Sequence, residues 1–166
     1  MGTTMAQAEH VTRAFVGQDG LIHILNSDGR EFVAARDDSP ESALRKDPGF
    51  NQQSVEVPKI AVDGKTVGWI VNFGNCCTSY PIPLMLVVYQ NGRVIRRITP
   101  SDLPPIILDW HFVAGGKEIA ISTSTLHGDS HGAFELYMVK TGRLIQRWDA
   151  ENSGPDPAWV QTFGKE

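Results

Sequence analysis

Cysteine is nearly absent from this chain: there are two, and Cys76 and Cys77 are adjacent. Neighbouring cysteines cannot staple distant segments, so a disulfide framework is excluded. Long apolar runs are missing too, and none approaches the roughly 20 residues that a bilayer-spanning helix needs. Charge is dispersed. Fifteen Lys and Arg stand against nineteen Asp and Glu, a formal net charge of −4. No local basic run marks a surface for nucleic acid or an anionic membrane, so neither partner is expected. No glycine-rich phosphate loop opens a helix, no Gly-x-Ser-x-Gly elbow occurs, and no carboxylates pair at a suggestive spacing.

What remains is ordinary for a globular protein: 166 residues, 41% hydrophobic and 20% charged. A chain of this length buries about 70% of its unfolded surface. One domain is expected over residues 1–166, with residues 1–10 a disordered tail or cloning remnant. Met1-Gly-Thr-Thr-Met5 has the look of such a remnant, whereas Ala6-Gln7-Ala8 resembles the end of a signal-peptide cleavage site. A cytoplasmic and an exported origin both fit.

The sequence repeats itself. Asn26-Ser-Asp-Gly29-Arg30, Tyr89-Gln-Asn-Gly92-Arg93 and Val139-Lys-Thr-Gly142-Arg143 each separate two apolar runs. Asp-Gly and Asn-Gly in that setting predict hairpins, because tight hairpin turns need positive φ. Leu84–Ile98 aligns with Phe134–Trp148 at an offset of 50, and Gly64–Trp69 with Gly116–Ile121 at an offset of 52. Each copy reads as four strands. The first takes 55–62, 66–73, 84–90 and 93–99, and the second 106–113, 118–124, 133–139 and 143–149. Val67, Trp69, Val71 and Phe73 alternate on one face, and the continuous apolar run Leu84–Tyr89 suits a strand buried on both. A shorter copy takes 11–17, 21–26 and 30–35 and lacks a first strand, while Ala158–Phe163 reads as a first strand without a copy. Ser39–Lys46, with Pro40 at its start, predicts one short helix.

Pro58–Trp69 and Leu108–Ile121 resemble the blade starts of TolB-like and WD40-type β-propellers, and Phe134–Ile145 resembles a blade's outer hairpin. The positions of the Trp-Asp pair hold Tyr137-Met138, Val87-Val88 and Ile24-Leu25, so the TolB-like pattern is nearer. The resemblance implies an all-β fold of β-propeller-like four-stranded blades, about three per chain, one completed by the C-terminal strand. Three blades are too few for a ring of about 4 to 8. Two chains closing a six-bladed homodimer is therefore one expectation, and a monomeric open sheet or sandwich of the same strands is the other. The resemblance further implies a non-catalytic module that binds a protein or small molecule. A stand-alone relative of a peptidase-associated propeller domain is another alternative.

Two equivalent loops carry the candidate chemistry. One holds Cys76, Cys77 and Tyr80, and the other His127, Asp129 and His131. These six residues are the predicted ligand-binding set, since binding sites gather on loops of rigid scaffolds. His127, Asp129 and His131 offer imidazole and carboxylate donors for a divalent metal such as zinc, which would make a metal-dependent hydrolase or lyase. Their spacing matches no recognised metal motif, and internal loop hydrogen bonds explain them as well; no cofactor is the default. Cys76 and Cys77 read as packed thiols, a strained vicinal disulfide, or metal donors. Asp109 and His111 share a strand face as an acid–base or structural pair. Trp69, Trp110, Trp148 and Trp159 read as packing between repeats.

Overall fold

The computed structural model describes residues 10–38, 50–75, 78–100, 105–125, 132–149 and 151–164. Their strands form three antiparallel sheets in chain order. The first is β1 (Val11–Val16), β2 (Ile22–Asn26) and β3 (Glu31–Val33). The second holds β4 (Gln52–Val55) and β5 (Lys59–Ile60) side by side on β6 (Thr66–Phe73), then β7 (Ile82–Gln90) and β8 (Arg93–Ile98). The third is β9 (Pro105–Val113), β10 (Glu118–Thr125), β11 (Ala133–Met138) and β12 (Leu144–Asp149). Each sheet is an up-and-down meander, and among the described residues the first has three strands where the third has four.

Hairpin chemistry sets these meanders. Asn91 and Gly92 both have positive φ, 52° and 81°, as a two-residue hairpin turn requires. The Asn26–Arg30 turn closes through Gly29 N–H to the Asn26 carbonyl at 3.0 Å. The predicted strand 55–62 is instead two short strands. Pro58 has no N–H for the ladder, and five residues from Val55 to Lys59 oppose four from Val71 to Gly68.

The sheets stack face to face, with the second in the middle. Val67, Trp69, Val71, Phe73, Val87 and Tyr89 pack against Ile22, Ile24 and Ala34 of the first sheet. On its other face, Ile70, Leu86, Val88 and Ile98 pack against Trp110, Ile119, Ile121 and Tyr137 of the third. Polar contacts fix the layers. Asn26 donates to the Tyr89 hydroxyl at 3.2 Å, and Arg97 pairs with the nearly buried Asp37 at 2.5 Å. Within the third sheet, Glu135 is 1% exposed, accepts from the Tyr137 hydroxyl at 2.5 Å and lies 3.6 Å from Arg147.

The C-terminal segment corrects the sequence-based expectation. Ala158–Phe163 is not a strand and does not complete the first sheet. Ala158–Gln161 is a single α-helical turn, α1, followed by a 3-10 turn at Thr162–Gly164. Trp159 and Phe163, four apart, share a helix face. Phe163 stacks on His111 and Phe134, with ring centroids 4.4 and 5.2 Å away. Trp159 donates to Gln146 at 3.1 Å, and Trp148 to Asp156 at 3.0 Å. The segment thus covers the outer face of the third sheet, and the C-terminal strand that motivated a two-chain ring is not formed. Trp69 and Trp110 do pack between sheets, as expected, whereas Trp148 and Trp159 fasten the chain end. The helix predicted at Ser39–Lys46 lies outside the described residues.

Gly68 shows how tightly the stack is packed. A Cβ there would stand 2.6 Å from Trp110 Cη2 and 3.2 Å from Phe112. Gly68→Ala is expected to cost about 1–3 kcal/mol by overpacking a rigid ring against a strand. Urea unfolding of this variant beside wild type checks it; an unchanged midpoint would show that the sheets slide apart freely.

Candidate functional site

The loops singled out from the sequence are only partly described. Cys76, Cys77, His127, Asp129 and His131 lie outside the described residues. Tyr80 is described, and its side chain is exposed at 60%. Beside it the loop is tied internally: Asn75 accepts from Thr78 N–H at 2.7 Å and donates to the Tyr80 carbonyl at 3.2 Å. Among the described residues, no group of three or more His, Cys, Asp and Glu could hold a metal ion.

Asp109 and His111 do share a face, but His111 Nε2 is 3.6 Å from the Asp109 carboxylate, beyond hydrogen-bond reach. Burial pushes the His111 imidazole below its ordinary value, with Asp109 opposing and Lys59 adding to the fall. Asp109 is otherwise engaged. It accepts from Trp110 N–H at 2.7 Å and from Lys59 Nζ at 3.3 Å. Lys59 also donates to the Trp110 carbonyl at 2.5 Å and lies over the indole at 4.8 Å. This arrangement fastens β5 to β9.

A cavity lies elsewhere among the described residues. It has a volume of about 880 Å³ and opens between the second and third sheets, at the strand ends opposite the two predicted loops. Arg93 and Arg96 of β8 line one side, and Lys117 and Lys140, from two turns of the third sheet, line the other. Ile95, Met138 and Val139 supply apolar wall.

A β-bulge builds the arginine side. Gln90 pairs with Arg93, Tyr89 with Val94 and Val88 with Arg96, which leaves Ile95 as the extra residue. Tyr89 faces the first sheet and Val88 the third. Val94 therefore turns toward the first sheet, while Arg93 and Arg96, three apart, both turn toward the third. Regular alternation would have put them on opposite faces.

Arg96 is held rigidly. It donates to the Ile95 carbonyl at 2.6 Å and to the Lys140 carbonyl across the cleft. Its Nε is buried without an acceptor. Asp63 also lines the cavity, but its carboxylate is turned to local use. It accepts from Lys65 N–H, Thr66 N–H and the Thr66 hydroxyl at 2.8, 2.9 and 2.6 Å. Burial works against its charge, and those hydrogen bonds outweigh it, holding the carboxyl below its ordinary range. The cations come from positions 93, 96, 117 and 140, so no sequence window contained them. The one local trace was Arg93 and Arg96, masked by the bulge.

A third cluster lies on the first sheet. His23 Nδ1 is 2.8 Å from Glu31, and Nε2 is 2.9 Å from Asp19. Phe15 stacks on the imidazole at 5.3 Å. The Glu31 hydrogen bond, then that of Asp19, raises His23 above its ordinary value of 6.5. Stability from this pairing is thus fully present below the ordinary value and lost as pH rises through the raised one. The difference in Tm between wild type and His23→Gln should therefore shrink on going from about pH 5.5 to about pH 8.5. A difference independent of pH would show that the charged imidazolium contributes nothing.

No protein-family model matches the chain and no curated protein matches it, so what the cleft does rests on its own geometry.

Proposed function

We propose that the chain is a non-catalytic binding module: a stack of three propeller-type blades that takes a ligand in the cleft between its second and third sheets. The observation that carries this is the cleft itself. Its volume of about 880 Å³ falls in the range of roughly 300–1,000 Å³ typical of small-molecule sites. It combines an apolar wall with a few placed polar groups. Its two sides come from different sheets whose packing is fixed by Gly68 against Trp110, so it is preorganised. Four cations and two carboxylates line it, with no nucleophile–base pair among the lining residues.

The propeller reading draws on the order of the strands, the repeated hairpins and the face-to-face packing of successive meanders. Protein partners remain open to the same cleft, since a loop or tail of suitable chemistry presents the same groups as a small molecule.

A fragment screen followed by two-dimensional NMR of labelled protein tests the proposal. Shifts are expected to concentrate on residues 93–96, 116–118 and 138–140. Hits that consistently perturb the Tyr80 end instead, or turnover of a bound compound, would overturn it.

A further inference from the structure

The electrostatics of the cleft are uneven in a way the whole chain is not. Outside the cleft lining, Arg30, Lys59, Arg97 and Arg147 each have a carboxylate partner, while Arg13, Arg36, Lys65 and Arg143 have none among the described residues and are scattered, so what marks the cleft is that its cations are gathered. Arg93, Arg96, Lys117 and Lys140 make no ion pair among the described residues, and all four line the cleft. Two carboxylates, Asp63 and Glu118, line it as well. Four cations against two carboxylates leave a formal charge of +2, in a protein whose net charge is −4.

These cations are arranged on three separate turns around one opening. Arg93 stands at the outer hairpin of the second sheet, Lys117 at the inner turn of the third, and Lys140 at its outer hairpin. All three are exposed. Arg96 lies between them, clamped through its carbonyl bonds, with its buried Nε still lacking an acceptor. Like charges gathered without partners repel one another, and an anion seated among them removes that cost. Low-dielectric walls strengthen the attraction beyond its value in open water.

We infer that the cleft binds an organic phosphate monoester, a dianion carried on an apolar body. The inference rests on the proposed reading of the cleft as a ligand site. A dianion matches the +2 charge of the lining. A tetrahedral phosphate offers several oxygens, so it can face cations from more than one turn, whereas a flat carboxylate addresses one side. Ile95, Met138 and Val139 receive the apolar body. Ile95 is the bulged residue, so the irregularity that turns both arginines into the cleft also sets an apolar side chain between them.

Phenyl phosphate, inorganic phosphate and phenol are the probes, titrated into the whole chain by calorimetry. Phenyl phosphate is expected to bind, inorganic phosphate more weakly, and phenol not at about 1 mM. Affinity for phenyl phosphate should fall at least about tenfold in the Lys117→Gln, Lys140→Gln double variant. It should also fall with added salt, as screened charge pairs do. Both lysines are exposed and make no ion pair among the described residues, so an unchanged Tm is expected to show the variant folded. Arg93→Gln is the second variant, to be read in the same way should the first lose stability.

Equal binding of phenol and phenyl phosphate would overturn the phosphate inference and leave the binding module standing. Absence of binding by all three probes, with no NMR shifts in the cleft, would overturn the phosphate inference; a neutral fragment found there by the screen would still uphold the module. Phenyl phosphate binding unaltered in both variants would overturn it too. A single-stranded oligonucleotide that binds more tightly, and is lost in the same variants, would replace the small phosphate by a polyanion.

Discussion

Everything in this molecule depends on one sheet being apolar on both faces. The β6–β7 pair supplies Val67, Trp69, Val71, Val87 and Tyr89 to one side and Ile70, Leu86 and Val88 to the other. Such a pair cannot face water on either side, so it demands a sheet above and a sheet below. Burying these side chains is worth roughly 1.5–3 kcal/mol for each large aliphatic or aromatic group. The first and third sheets each have only one fully apolar face to offer. Stacking in chain order therefore follows from the hydrophobic pattern, and the cleft lies between the outer ends of two stacked sheets.

Much of this was legible in the sequence. The alternation at Val67–Phe73 and the unbroken apolar run after Leu84 specified the middle sheet, and the Gly-Arg turns specified the hairpins. The fixed offset of 50 was less faithful. Tyr89 stands opposite Val67 and Tyr137 opposite Ile119, so the third strand of the third sheet is two residues short of that offset. An even slip returns every side chain to the same face, which is why the pattern still assigned burial correctly. The last strand keeps the offset of 50, with bulges at Ile95 and Ile145 in equivalent places.

What the sequence could not show has physical causes. Ala158–Phe163 matched a strand start by composition, but Trp159 and Phe163 are as far apart as neighbours on a helix face, and the half-open third sheet accepts them as such. Ladder breaks at Pro58 were visible only in part, since one missing N–H weakens a strand without dictating where it resumes. The cleft was invisible because its cations converge from separate turns, and because a single extra residue inverts the parity of β8. Periodicity is a rule about regular strands, and this site is built on the exception.

The equivalent bulges also aim one position toward the same side in both sheets. On the second sheet, the bulge turns Arg96 toward the third, where it grips the Lys140 carbonyl in the next hairpin. On the third sheet the equivalent residue is Gln146, opposite Leu136, and it accepts from the Trp159 indole. The same position therefore reaches outward in both sheets and finds the next layer in one and the chain's own end in the other. A long cation spanning a gap has become a short amide holding a helical turn. Phe163 is laid over His111 and Phe134 on that same outer face. The open cationic cleft is then a property of the junction where these two meanders meet, since the equivalent position on the far face of the third sheet holds an amide tied to Trp159 instead of a cation.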